Sequence, residues 1–172
     1  MKETPFEVKG PFLCPDGIFV IMKEYNGPRL CHVFVNPIVA ASMAVLNAGQ
    51  KNITHKLMLD TLEELGYILQ KIVIAKIIEG NRYKALLYFN DICGVVREMD
   101  SGPTDAICLA LTKGCPMLIN DEFLQVNEEL TQILKQAYDA ELHVLSVDKN
   151  QMTDQNALDL LMKIDPDKLT KQ

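Results

Sequence analysis

The chain sorts its apolar residues in two rhythms. Runs of branched and aromatic residues at positions 6–9, 18–24 and 29–35 predict three short strands, with Asn26-Gly27-Pro28 between the last two as a hairpin signal. Residues 36–49, NPIVAASMAVLNAG, then predict a helix. Asn36 can cap it, Pro37 fits its first turn and Gly49 can end it in a left-handed conformation. Nearly every position between them is apolar or small, so this helix is expected to be buried on all sides. Residues 54–66 follow the helical period more strictly. Met58, Leu62 and Leu65 share one face, while Lys56, Asp60, Glu63 and Glu64 take the others, and Gly66 is the stop.

Residues 70–100 read as a three-stranded meander with turns at Glu79-Gly80-Asn81 and Asn90-Asp91. On its second strand Tyr83, Ala85, Leu87 and Phe89 face one way. The run SGPTDAICLAL opens a buried helix, and PMLIN at 116–120 a short strand. Residues 127–141 predict an amphipathic helix, 142–147 a strand, and 153–164 a last short helix. Strands thus come in runs joined by tight turns, with helices grouped between them. The fold class expected is α+β, a mainly antiparallel sheet with helices packed on it. Charge and polarity rise near residue 125, which divides the chain into one domain over 1–125 and a short, mainly helical C-terminal extension over 126–172.

Length and composition narrow the class of protein. A chain of 172 residues, 48% hydrophobic and 23% charged, is a globular domain that needs neither disulfides nor a structural metal to hold a core. The net charge of −6 counts against non-specific nucleic-acid binding, which depends on Lys and Arg displacing phosphate counterions. It leaves room for a local basic groove, for which Lys71, Lys76, Arg82 and Lys84 are candidates, although such residues are more often the solvated face of a sheet. Five cysteines, odd in number and without a CxxC, fit reduced thiols. The first ten residues carry no apolar signal region, and no run reaches the ~20 apolar residues of a membrane helix. The expectation is a cytoplasmic protein without a membrane partner, in which the Asn52-Ile53-Thr54 sequon is a chance match.

Few residues are placed for chemistry. Asp105 has two readings: a first-turn carboxylate facing the positive end of a helix dipole, worth roughly 0.3–1 kcal/mol, or an active-site acid. His55, beside Thr54 at the start of a helix, is either a boundary histidine or an acid–base or metal-binding group. His32 and His143 read as satisfied core histidines. Phosphate loops, nucleophile elbows and HExxH are absent.

Three blocks in order then carry a resemblance: VFVNPIVAASMAVLNAG, NITHKLMLDTLEELGYILQKIVI and EMDSGPTDAICLALTKGCPMLINDEFL. From about Leu30 to Leu124 the chain resembles the bifunctional nuclease domain family, whose most distinctive block reads Asp-Ala-Arg-Pro-Ser-Asp-Ala. The resemblance implies an α+β fold, a homodimer, and metal-dependent hydrolysis of DNA and RNA. On the family pattern, Thr54, His55, Asp100, Pro103, Thr104 and Asp105 match. The catalytic set so implied is His55, Asp105, Asp100, Thr54 and Thr104, with Asp100 and Asp105 as carboxylates for Mg²⁺ or Mn²⁺.

Three positions depart from the pattern. Val39 stands for Glu, Lys56 for Asp and Gly102 for Arg, and each removes a metal ligand, a base or a phosphate clamp. Two functions therefore stand side by side: a nuclease, or a catalytically degenerate member serving as a dimeric binding or scaffold domain.

Overall fold

The computed structural model describes residues 2–47, 49, 53–76 and 83–139. Among these residues the chain forms seven strands, four α-helices and one 3₁₀ turn: β1 (Glu3–Cys14), β2 (Gly17–Glu24), β3 (Leu30–Val35), α1 (Pro37–Asn47), α2 (Ile53–Glu64), β4 (Ile68–Lys76), β5 (Tyr83–Asn90), β6 (Val96–Ser101), α3 (Pro103–Lys113), β7 (Met117–Asn120), the 3₁₀ turn at Asp121–Phe123, and α4 (Glu128–Asp139). The strand and helix expected within 142–164, His143, Arg82 and the Glu79-Gly80-Asn81 turn lie outside the described residues.

One sheet carries all seven strands, in the order β3-β2-β1-β7-β4-β5-β6. It is two antiparallel meanders, β1-β2-β3 and β4-β5-β6, joined through β7. That strand pairs antiparallel to Glu3–Pro5 of β1 and parallel to β4. The α+β expectation stands; the sheet is mixed, with one parallel pair in a mostly antiparallel order. Strand β1 runs on past Lys9, where Gly10-Pro11 reads as a break, because the ladder to β2 absorbs those residues as an irregularity between Lys9 and Phe12 and resumes.

Strand β2 explains its own unbroken apolar run. Val20 and Met22 face one core, with Phe6, Ile72, Leu87, Ile107 and Ile119; Phe19 and Ile21 face a second, with Phe12, Leu30, Leu130 and Leu134. The first core lies between the sheet and helices α1 to α3. The second lies beneath α4 on the opposite face of the β1-β2-β3 half. Asn127 caps α4 by accepting the Leu130 N–H at 2.9 Å.

Three expectations about individual faces are corrected. Helix α1 is capped by Asn36, which accepts the Val39 N–H at 2.8 Å, but among its described side chains only Ala40, Met43 and Ala44 are buried and Ile38 is 70% exposed. Its uniform apolarity therefore reflects one covered face and one open one. Helix α2 buries Leu59, while Met58 and Leu65 are exposed. His32 is exposed on β3, edge-on to Phe34, because Cys31 takes the inward position. Lys71 and Lys84 follow the more common reading of solvated sheet residues and are paired: Lys71 binds Glu3 at 2.8 Å and lies over the Tyr88 ring, and Lys84 binds Asp100 at 3.1 Å, while the Lys76 side chain lies outside the described residues.

Candidate active site

Helices α2 and α3 bring the two principal candidates together. Gly102 precedes α3 in an extended conformation, Pro103 fills its first position, and Asp105 follows in the first turn. His55 lies in the first turn of α2. The His55 Nε2 and Asp105 Oδ1 atoms are 3.7 Å apart. This is too long for a direct hydrogen bond and within ion-pair reach of a protonated imidazole. The imidazole is mostly covered, at 16% exposure, and the carboxylate is open to solvent at 61%. Both readings of Asp105 thus describe one position: it meets the positive end of α3 and faces an imidazole from α2. Two helix N-termini side by side also favour an anion such as phosphate.

The remaining candidates divide. Thr54 is exposed beside His55, and Thr104 is half-buried beside Asp105. Asp100 does not join them. In the β5–β6 ladder it lies opposite Leu86, whereas Ala85 and Leu87 point into the core beneath the helices. Asp100 therefore projects from the other face of the sheet, where Lys84 holds it. The expected pairing of Asp100 and Asp105 as metal carboxylates is corrected on this ground. Among the described residues no group of three or more His, Cys, Asp or Glu side chains is placed to hold a metal ion.

The three departures all lie at helix starts. Val39 lies in the first turn of α1 and packs against the main core. Lys56 is bound to Asp60 within α2, so its charge is committed along its own helix. Gly102 caps α3 without a side chain. Cys108, one turn beyond Asp105 on α3, is fully buried, and burial pushes its thiol up to about 12. A depression of about 280 Å³ opens elsewhere, lined by Lys2, Asn120, Asp121 and Glu122.

Sequence reasoning passed over one contact between the same helices. Lys113, in the last turn of α3, is ion-paired with Glu63 near the end of α2. Its signal was an acid at one helix end and a base at another, which says nothing until the helices are known to run side by side.

The family model for the bifunctional nuclease domain matches residues 20–133. The chain belongs to the bifunctional nuclease domain family. The match begins within β2 and includes all of α1 to α3, with both helix starts that carry His55 and Asp105. Two uncharacterised proteins of Mycobacterium tuberculosis, from strains CDC 1551 / Oshkosh and ATCC 25618 / H37Rv, are each 26% identical over 108 residues, covering 61% of this chain. The chain spans 63% of the length of these curated relatives. Val39, Lys56 and Gly102 also fall inside the matched region of this bifunctional nuclease domain. No helix among the described residues is long and apolar enough to cross a membrane.

Proposed function

We propose that this chain binds nucleic-acid phosphate at the joined starts of α2 and α3 and hydrolyses phosphodiester bonds there. The observation that carries the reading is the 3.7 Å approach of His55 to Asp105 across two helices that are 50 residues apart in the chain. His55 would take a proton from the attacking water at Nε2. Asp105 faces that same nitrogen at 3.7 Å, so it would hold the water between them and stabilise the imidazolium that forms, which then gives its proton to the leaving oxygen. The positive ends of two helix dipoles would oppose the charge that grows on the phosphate oxygens. Thr54 and Thr104 offer hydroxyls at the same rim.

The described residues do not fit a resident metal centre, since Asp105 is the one carboxylate beside His55 and Asp100 lies across the sheet. Mg²⁺ is commonly held by one or two carboxylates and completed by water and substrate phosphate. A dependence on Mg²⁺ or Mn²⁺ would therefore come from ions carried by the nucleic-acid phosphate, with Asp105 as the one carboxylate near them.

A second reading has its own support. Val39, Lys56 and Gly102 remove three groups useful to hydrolysis, and exposed Ile38, Leu57, Leu65 and Ile92 leave apolar surface for assembly. On that reading the chain is a homodimeric nucleic-acid-binding or scaffold domain. Free thiols fit residence in the reducing cytoplasm.

One assay separates the two. Purified full-length chain is given single-stranded DNA and RNA with Mg²⁺, with Mn²⁺ and with EDTA, and its mass is read by light scattering. Hydrolysis predicts cleavage that falls about 10²- to 10⁴-fold in His55→Ala and in Asp105→Asn. Cleavage unchanged from the parent chain in both variants would remove the pair from the chemistry. Binding without cleavage by a folded dimer would leave the scaffold reading.

A further inference from the structure

We propose that the Glu63–Lys113 ion pair is a positioning device that sets the register of α2 on α3 and thereby holds His55 against Asp105. The inference rests on the reading of His55 and Asp105 as the reacting pair.

The geometry is simple. His55 meets Asp105, and Glu63 meets Lys113, each across 50 residues of chain. On each helix the two contact residues are eight positions apart, or about 12 Å of helix rise. The helices therefore run parallel, in register, with one polar contact near the shared N-terminal end and one near the shared C-terminal end. Between these contacts the helices meet the same apolar core, to which α2 gives Leu59 and Leu62 and α3 gives Ala106, Leu109 and Ala110. Apolar packing has no directional preference along an axis. The ion pair does.

The charges carry a further sign. A helix favours acids at its start and bases at its end. Helix α3 obeys this with Asp105 in the first turn and Lys113 in the last. Helix α2 does the reverse, with an ionisable imidazole at its start and Glu63 near its end. Two parallel helices also set like dipole ends side by side. Each mismatched group on α2 is answered by a matched group on α3, so α3 serves as the template and α2 is satisfied when docked in this register. Both helices end beside the pair in glycine caps. Gly114 donates to Ala110 at 2.7 Å, and Gly66 and Tyr67 donate to Glu63 and Leu62 at 2.9 and 2.8 Å. A slip of one residue would move His55 by about 1.5 Å along the axis, enough to break a 3.7 Å approach.

The test uses the full chain, with the ring resonances of His55 followed by NMR and assigned against a His55→Gln variant. The reference is Asp105→Asn, which marks where those resonances move when the acid is neutralised. Glu63→Gln, which keeps the shape of the side chain, is expected to displace the His55 ring signals while those of His32 stay in place. Lys113→Met should do the same, and the exchange Glu63→Lys with Lys113→Glu should restore them. In the cleavage assay Glu63→Gln should lower kcat about tenfold or more with little change in KM. His55 signals unmoved in a folded Glu63→Gln variant would overturn the positioning role. Ring signals that respond in a chain that cleaves nothing would keep the positioning role and dismiss the hydrolytic reading instead.

Discussion

At position 102 the backbone is extended, with φ −66° and ψ 145°, values open to any L residue. A Cβ built there would stand 3.6 Å from Asp105 Oδ2, an ordinary contact. The glycine is therefore not required by the turn, in contrast with Gly66, where φ is +85° and a Cβ would overlap Ile92. The guanidinium that the family pattern carries at 102 could be restored without rebuilding the fold. Gly102→Arg should bring a bidentate phosphate donor to the mouth of the His55–Asp105 pair and raise cleavage of single-stranded substrate about tenfold or more. The gain should fade at high salt. Stability should fall by under about 1 kcal/mol, since glycine is the better cap. An unchanged rate, measured on a folded variant, would place the deficit at Val39 or Lys56. At this scale much of the candidate site was legible. His55, Asp105 and the three departures are all readable as residues, because cap signals and family blocks are local. Asp100 was not, because which face of β6 it occupies depends on its partner Leu86 in the β5–β6 ladder.

Helix α2 shows why elements are easier to find than to orient. Its apolar residues at 57, 58, 59, 62 and 65 allow two stripes at helical spacing, one through Met58, Leu62 and Leu65 and one through His55, Leu59 and Leu62. Periodicity alone does not choose between them. Docking on α3 does, since the stripe that faces the core must be the one that carries His55 toward Asp105. The outcome is 4% exposure for Leu59 against 43% for Met58 and 67% for Leu65. Leu59→Ala should accordingly cost roughly 2–5 kcal/mol of unfolding free energy by urea titration. Met58→Ala should cost under about 1 kcal/mol. Equal costs would mean that α2 is rotated from the orientation that builds the site. Helix α1 teaches the same lesson from the other side. A segment apolar all round carries no orientation signal, so the exposure of Ile38 could not be read from its neighbours.

Across the whole molecule the two meanders are closed by a clasp that no local pattern announces. Arg29, after the β2–β3 turn, binds Glu24 through two bonds of 2.7 and 3.0 Å and reaches Asp121 beyond β7 at 2.7 Å. Thr4 of β1 donates to the same Asp121 oxygen at 2.7 Å, and Lys2 stands 3.7 Å from it. Residues 2, 4, 24, 29 and 121 meet only because β1 pairs with both β2 and β7. The strands themselves were legible from alternation, but their order was not, since the pairing of β7 with β1 and β4 joins distant segments. The clasp has a titration signature. Hydrogen bonds from Arg29 and Thr4 hold the Asp121 carboxyl well below the usual carboxylate range, and Arg29 likewise lowers Glu24. Unfolded, these acids return to ordinary values of about 3.9 and 4.3. A carboxyl whose folded value is depressed stabilises the fold fully above its unfolded value, and that contribution is lost as pH falls through about 4 toward the folded value. Asp121→Asn should therefore unfold at lower urea than the parent chain at pH 7, with the gap narrowing steadily below about pH 4. Arg29→Met should behave the same way, because it removes the cation that depresses both acids. A gap that stays constant from neutral to acid pH in both variants would show that the clasp stabilises by packing alone and that its charges are already screened in the folded chain.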